Sequence, residues 1–560
     1  MLPRPQLALL ILLFVTFAGP LSFAQGRNTA RSMVITPNGI VATSQIQASQ
    51  AGAEILRRGG SAIDAAIAAN AVLGVIEPMM NGIGGDLFAL YWDAKSGKLY
   101  GLNSSGWAPR QLTLERLRSK GKATPPLSGI DSVTVPGAVA GWKALHNRFG
   151  VLQWKDLLQP AIFYSESGFP VPEIAHAYWN EYRETVYKDD ESRRVYLPNG
   201  KVPDVGDLFR NPDLAATLRV LAREGAEAFY KGPIANAILS TSRTLNGSMA
   251  ADDLASFEPE WVEPISTSYR GWHIYELPPN GQGMAALEML NILETLPASL
   301  DGPSDPVELH QRIESMKLAY ADLYRYNADP RFAKVPVAGL TSKDFAKKRA
   351  QLIDSSRANC SVPYGEPFSD TTYLSVVDRN GNIVSMIQSN YDAFGSGITV
   401  RGMGFVLQDR GALFSLDPSS PNVLAPRKRP FHTIIPAFME KGDEHIGFGI
   451  MGGANQPLAH VQFVSNIVDY HMNIQQALEE PRFTVHPNQG CNIRVESRIP
   501  GKTQNELSAM GHILDVREAY STLMGRGNAV LRNSKSKVNY GASDARADGI
   551  AEPELIRSLH

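Results

Sequence analysis

A mixed α/β (α+β) fold, with sheet packed on sheet and helices outside, is predicted from the order of three patterns along the chain. Helix-rich segments dominate from about Pro109 to Asp329, strand-like runs from Thr371 to Met451, and a helical pattern returns at His460–Tyr470. Each apolar sheet face needs a covering layer, so helices on either side of a block of strands are read as its outer cover.

The first segment is read as an export signal. Arg4 and the chain's amine give a positive start, Leu7–Ala18 is apolar, and Ser22-Phe23-Ala24 is a small-x-small cleavage site. The apolar run is shorter than the roughly 20 residues that a membrane span needs. Cleavage after Ala24 is expected, giving a periplasmic or secreted protein with no integral membrane span once the signal is removed. The 560 residues are 43% hydrophobic and 20% charged, with a net charge of −2. That balance suits a globular protein with a large core and gives no reason to expect nucleic acid or an anionic membrane as partner. Cys360 and Cys491 are the two cysteines, far apart in sequence. Their connectivity cannot be read, and two separate thiols are expected.

Met33–Ala42 reads as a strand and Ser44–Arg58 as a helix stopped by Gly59-Gly60. Ser61-Ala62-Ile63-Asp64 has the capping-box form and opens an Ala/Ile-rich helix to about Gly74, apolar nearly all round and therefore buried. The run Asn81 to Asp86 holds three glycines and precedes the strand Leu87–Trp92, so it is not a dinucleotide fingerprint. Val135-Pro136-Gly137 turns into a helix, as does Pro279-Asn280-Gly281, which leads to Met284–Leu296. Glu308–Tyr326 is a long amphipathic helix, and strands are expected at Gly404–Leu407, Thr433–Met439 and Ile446–Met451.

The chain is organised around Asp370-Thr371-Thr372 and the alternating run to Asp378. Asn380-Gly381 follows, a type I′ hairpin signal, and Ile383–Ser389 returns alongside. Read plainly, this is a hairpin with a threonine pair at its entrance. The alternative is that the Asp370–Thr371 bond is cut. A threonine hydroxyl needs a neighbouring base. An N-terminal threonine carries its own, since an α-amine has a pKa of about 7.7–8.0.

Three further stretches could carry chemistry. Phe394-Gly395-Ser396-Gly397 is a tight turn. Met451-Gly452-Gly453 ends a strand in paired glycines that can turn backbone N–H groups toward an anionic centre. Pro430-Phe431-His432-Thr433 is a polar strand start. There is no HExxH, zinc-spaced Cys/His set, Walker A or GxSxG, so neither metal nor cofactor is implied.

Together these stretches resemble the γ-glutamyltransferase family of N-terminal-nucleophile hydrolases. The resemblance runs from about Met33 to Pro553. It rests on Gly59–Ala66, Glu77-Pro78 through Gly85, Val135-Pro136-Gly137, Pro279-Asn280-Gly281, Thr371-Thr372 through Asp378, Gly452-Gly453 and Asp548-Gly549. It implies a four-layer αββα sandwich matured by self-cleavage into a large subunit, residues 25–370, and a small subunit, residues 371–560, that stay packed together. It makes Thr371 the nucleophile, Ser389 the hydroxyl that contacts the new amine, and Gly452 and Gly453 the oxyanion donors.

The substrate-reading positions depart from the family pattern. Ser105 stands where the family has the arginine for the glutamyl α-carboxylate, and Leu413 where it has the acid for the α-ammonium. Tyr391 replaces an asparagine and His432-Thr433 a Ser-Ser pair, while Arg410 is free to meet a substrate carboxylate. This set looks like the acylase-like branch, similar to oxamate amidohydrolase and dicarboxylyl acylases. The expected function is hydrolysis or transfer of a γ-glutamyl or related carboxylated acyl group from a small amide. The rivals are an acylase for glutaryl or oxamyl amides lacking an α-ammonium, and a non-catalytic secreted relative.

Overall fold

The computed structural model describes residues 29–362 and 370–555. The export signal lies outside them, as does most of the Pro/Gly/Ser-rich tract before Thr371. Among the described residues no helix is long and apolar enough to cross a membrane.

Two seven-stranded antiparallel sheets form the centre. One runs Ala551–Pro553, Ile40–Ala42, Asp370–Val377, Ile383–Tyr391, Asp86–Asp93, Lys98–Ser104, Glu260–Val262. The other runs Val34–Thr36, Val538–Ser543, Gly527–Asn533, Glu444–Ile450, Ala437–Lys441, Trp272–Glu276, Ile265–Tyr269. Alternation along Asp370–Val377 sets the layers: Tyr373 and Val377 face the other sheet, in a cluster with Phe88, Ile387, Phe438 and Val530. Leu374 and Val376 face the opposite way, against the helices Ile46–Arg57 and Ala62–Ile76. The outer face of the second sheet carries Gly283–Glu294, Pro306–Tyr326 and Gln456–Tyr470. Where the sheets meet, a Cβ on Gly449 would lie 2.4 Å from the Tyr373 ring, so this approach requires glycine.

Several expected elements are present. Ser61 accepts the Asp64 N–H, and Asp64 accepts the Ser61 N–H at 3.0 Å, completing the capping box of a helix buried almost throughout. Other expectations need correction. Met33–Ala42 is two strands in different sheets, Val34–Thr36 and Ile40–Ala42, because Pro37 has no N–H to continue a ladder. Gly404–Leu407 is loop with a single bridge, Thr399 to Val406. The strand expected from Thr433 begins only at Ala437, since residues 432–435 are engaged by side chains. In the hairpin turn Gly381 alone has positive φ, +87°, and its N–H donates to Asp378 O. This is a type I turn closed by a left-handed glycine, not type I′. The helix Pro306–Tyr326 is buried on nearly every side, and its charges are paired inside: Arg312 with Glu308 at 2.8 Å, Lys317 with Glu314 at 2.7 Å.

The expectation of two separate thiols is also overturned. Cys360 and Cys491 form a disulfide with Cα atoms 4.7 Å apart across a sequence separation of 131. Tertiary packing makes the pair: Ala358 N–H donates to Met510 O, and Ile513 N–H to Cys491 O, both at 2.8 Å.

Candidate active site

Thr371 is fully buried at the start of its strand. The ladder to Ile383–Tyr391 shifts register here: Asp370 pairs with Tyr391 and Thr372 with Gln388. A bulge at this point frees Thr371 from regular pairing, a device that re-aims side chains next to active sites. Its Oγ1 has no hydrogen-bond partner among the described residues. Across the bulge Ser389 Oγ accepts the Tyr391 N–H at 2.8 Å. Tyr391 itself has φ +81°, uncommon for a bulky residue.

The glycine pair lies toward the same edge. Gly447 approaches Ile383, Ser385 Oγ donates to Phe448 O, and Gly449 abuts Tyr373, so the strand Glu444–Ile450 runs toward the Thr371 end of the facing sheet. Gly452 and Gly453 follow it with φ of +132° and +59°, turning the chain before the helix Gln456–Tyr470. Gln282 Nε2 donates to Gly453 O at 2.8 Å and also to Thr433 O. One amide thus ties the glycine turn to the wall that carries Thr433.

A cavity of about 310 Å³ opens beside these groups, lined by Tyr391, Leu413, Phe431, Thr433, Ala454 and Gln489 among others. Arg410 is fully buried behind the Thr433 wall. Its Nη1 donates to Thr433 Oγ1 at 2.7 Å, and its guanidinium lies 4.8 Å from the Tyr391 ring centre. Its Nε and Nη2 have no partner among the described residues. Burial lowers the Arg410 pKa to about 10, and Asp86, Tyr391 and Asp409 oppose that shift. The guanidinium remains charged at neutral pH with two donors to spare.

His432 stands behind it. Its Nδ1 accepts the Ile434 N–H, and its Nε2 donates to Asp86 Oδ2 at 3.1 Å. Burial holds the imidazole well below its usual pKa, reinforced by Arg410 and Arg429. Asp86 Oδ1 accepts the Gly106 and Gly137 N–H groups, yet burial pushes its carboxyl up to about 7. Ser105 is fully buried in a separate web, its Oγ 2.8 Å from Asn103 Oδ1 and 3.2 Å from Asn280 Nδ2. It does not line the cavity.

The structure therefore brings Tyr391, Leu413 and Thr433 to the cavity, sets Arg410 and His432 behind it, and keeps Ser105 one layer further back. Asp86 and Gln282 were not singled out from the sequence. Asp86 had a signal, an acid closing a glycine run before a strand; Gln282 had only its turn. Elsewhere His310, Glu314 and His512 hold ligand atoms within 4.8 Å of one another. His310 hydrogen-bonds His512, and Glu314 holds Lys317 and the Asn359 N–H, so of this group only His512 Nδ1 is left without a partner among the described residues.

The family model described as gamma-glutamyltranspeptidase matches residues 48–554. The chain is 38% identical to the glutathione hydrolase-like YwrD proenzyme of Bacillus subtilis, covering 93% of this chain and 98% of that one. It is 32% identical to the oxamate amidohydrolase proenzyme of Klebsiella pneumoniae, covering 92% and 98%. Among solved structures it resembles a cephalosporin acylase from Bacillus halodurans, with a TM-score of 0.88, 40% identity, and coverage of 95% of this chain and 98% of that one.

Proposed function

We propose that this chain, which belongs to the gamma-glutamyltranspeptidase family and is one of its enzymes, is an exported, self-processing N-terminal-threonine amidohydrolase. The observation that carries the reading is Thr371: a buried hydroxyl without a partner among the described residues, at a strand bulge, toward the edge where the paired glycines turn. In maturation Thr371 Oγ attacks the Asp370 carbonyl carbon. The amide becomes an ester with a free Thr371 amine, and water then hydrolyses the ester. Relatives described as proenzymes support this step. The two stacked sheets with helices on their outer faces support the four-layer αββα reading.

In turnover the freed amine takes the Thr371 hydroxyl proton as Oγ attacks the substrate amide, with Ser389 beside the amine. The tetrahedral oxyanion accepts the Gly452 and Gly453 N–H groups. The leaving amine departs with the proton, an acyl-enzyme forms, and water or an acceptor amine releases the acyl group.

The substrate is an amide whose acyl group ends in a carboxylate and lacks a neighbouring ammonium, such as a glutaryl amide. Arg410 offers a carboxylate two nitrogens, Nε and Nη2, whose N–H groups have no partner among the described residues. Leu413 stands at the cavity wall, and no acid is among the lining residues that the structure describes. An unpaired ammonium in such a site costs several kcal/mol. The similarity to a cephalosporin acylase and an oxamate amidohydrolase fits this reading, and that to a glutathione hydrolase-like protein favours γ-glutamyl donors. Comparing kcat/KM for glutaryl and γ-glutamyl p-nitroanilides decides between them. The glutaryl compound is expected to be the better substrate; a clear γ-glutamyl preference would overturn the assignment.

A further inference from the structure

We infer that the Cys360–Cys491 disulfide covalently ties the two chains of the processed enzyme together and holds one wall of the substrate cavity. The inference rests on cleavage at Asp370–Thr371. That bond lies inside the loop the disulfide closes, so the cut leaves Cys360 on the large chain and Cys491 on the small one. What is a closed loop in the precursor becomes an interchain link in the product.

The surroundings form a built anchor. Asn359, next to Cys360, is gripped from both sides by one large-chain helix: its N–H donates to Glu314 Oε2 at 3.2 Å, and its carbonyl accepts Lys317 Nζ at 3.0 Å. Glu314 and Lys317 are themselves buried and paired. Ala358 N–H reaches across to Met510 O, and Cys491 O accepts the Ile513 N–H, so both cysteines sit in backbone fixed by residues 510–513 of the small chain. Lys317, Glu314, His512 and Cys491 are buried at this junction, while Cys360 lies at the surface.

The link also reaches the cavity. Cys491 ends a tight turn in which Gln489 N–H donates to His486 O and Asn492 N–H to Gln489 O. Gln489 lines the cavity. Gly490, at φ +63°, lies against Cys360 O, with space for a Cβ only 3.3 Å away. The disulfide therefore clamps the Gln489 turn against the end of the large chain, and a substrate's outer portion meets a wall with one covalent fixing point.

Denaturing gels of thiol-blocked mature enzyme test this, run with and without reductant. One species of about 59 kDa without reductant and two of roughly 38 and 21 kDa with it are expected, at about 110 Da per residue. Two species in both lanes would overturn the interchain link while leaving self-cleavage intact. A single species in both lanes would overturn the cleavage reading and this inference with it. Mass spectrometry of peptides from the non-reduced enzyme should find Cys360 joined to Cys491; free, alkylated cysteines would refute the pairing even if a Cys491→Ser variant fails to fold. If that variant folds, its KM for a carboxylated donor should rise several-fold with kcat retained, because the wall loosens while the nucleophile stays. An unchanged KM would remove the cavity-wall role.

Discussion

Replacing Arg410 with methionine isolates the substrate carboxylate. Methionine keeps much of the volume and removes the charge, the Thr433 hydrogen bond and the two unpartnered donors. Loss of one partner from a desolvated charge pair costs about 2–5 kcal/mol. The lower part of that range applies, because Asp86 and Asp409 stand near the guanidinium and oppose its loss of charge. A cost of about 2–3 kcal/mol is roughly a 30- to 160-fold fall in kcat/KM for a glutaryl anilide. A neutral acyl anilide of equal length makes no such pair, so its kcat/KM should change by less than about threefold. Folding should be unharmed or improved, since a buried charge without full compensation is weak support for stability. The assay compares both anilides on wild-type and variant enzyme, with melting temperature as the control. An equal loss on both donors would mean that Arg410 shapes the cavity and does not read charge.

The other predictions concern the chemistry. Thr371→Ala should remain one uncut chain of about 59 kDa on a reducing gel, whereas a smaller chain beginning anywhere but Thr-Thr-Tyr-Leu-Ser on Edman sequencing of the wild type would displace Thr371 as nucleophile. Gly453→Val should lower kcat by about 10²–10³ with KM little changed, and a folded, self-cleaved variant with full turnover would exclude Gly453 from the oxyanion site. Asp86, raised to about 7 by burial, is neutral below that pH and anionic above it. Ionised, it neutralises part of Arg410's attraction, so KM for a carboxylated donor should climb as pH rises through about 7. Asp86→Asn should flatten that climb, and a pH profile identical in both enzymes would dismiss the coupling.

Legibility from sequence followed the range of the forces involved. The capping box at Ser61, the buried Ala-rich helix and the strand after Thr372 are local patterns, and they stand where periodicity and capping put them. The hairpin turn was read as a hairpin but with the wrong turn type, because Asp378 accepts N–H groups from Asn380 and Asn382 and so selects a type I geometry. Strands Lys98–Ser104, Ile265–Tyr269 and Trp272–Glu276 escaped notice because pairing with distant partners, and not a strong local alternation, makes them strands. The disulfide and the Asp86–His432 contact join residues 131 and 346 positions apart, a distance over which no spacing rule operates. For the site, the residue types were visible, but which of them face the cavity was not. Ser105 and Thr433 look alike in a sequence, and only packing sends one into a web of asparagines and the other to the wall.

The strand carrying Thr371 is paired on one side with Ile40–Ala42, and that strand is paired in turn with Ala551–Pro553. Thr371 therefore rests on contacts between residues 40–42 and 551–553, which lie far apart along the chain. Such contacts form late, because the entropy of closing the longest loops must be met before they give anything back. A nascent or half-folded chain holds the same Asp370-Thr371 peptide but lacks the partner strands that shape the bulge. The scission event would then act as a proofreading step on folding itself: only a molecule in which these two distant strands have found each other can sever its own backbone. The population of cut chains in an exporting cell would thus count finished folds, and a destabilising substitution far from Thr371, at the seam between residues 40–42 and 551–553, would surface first as uncut precursor.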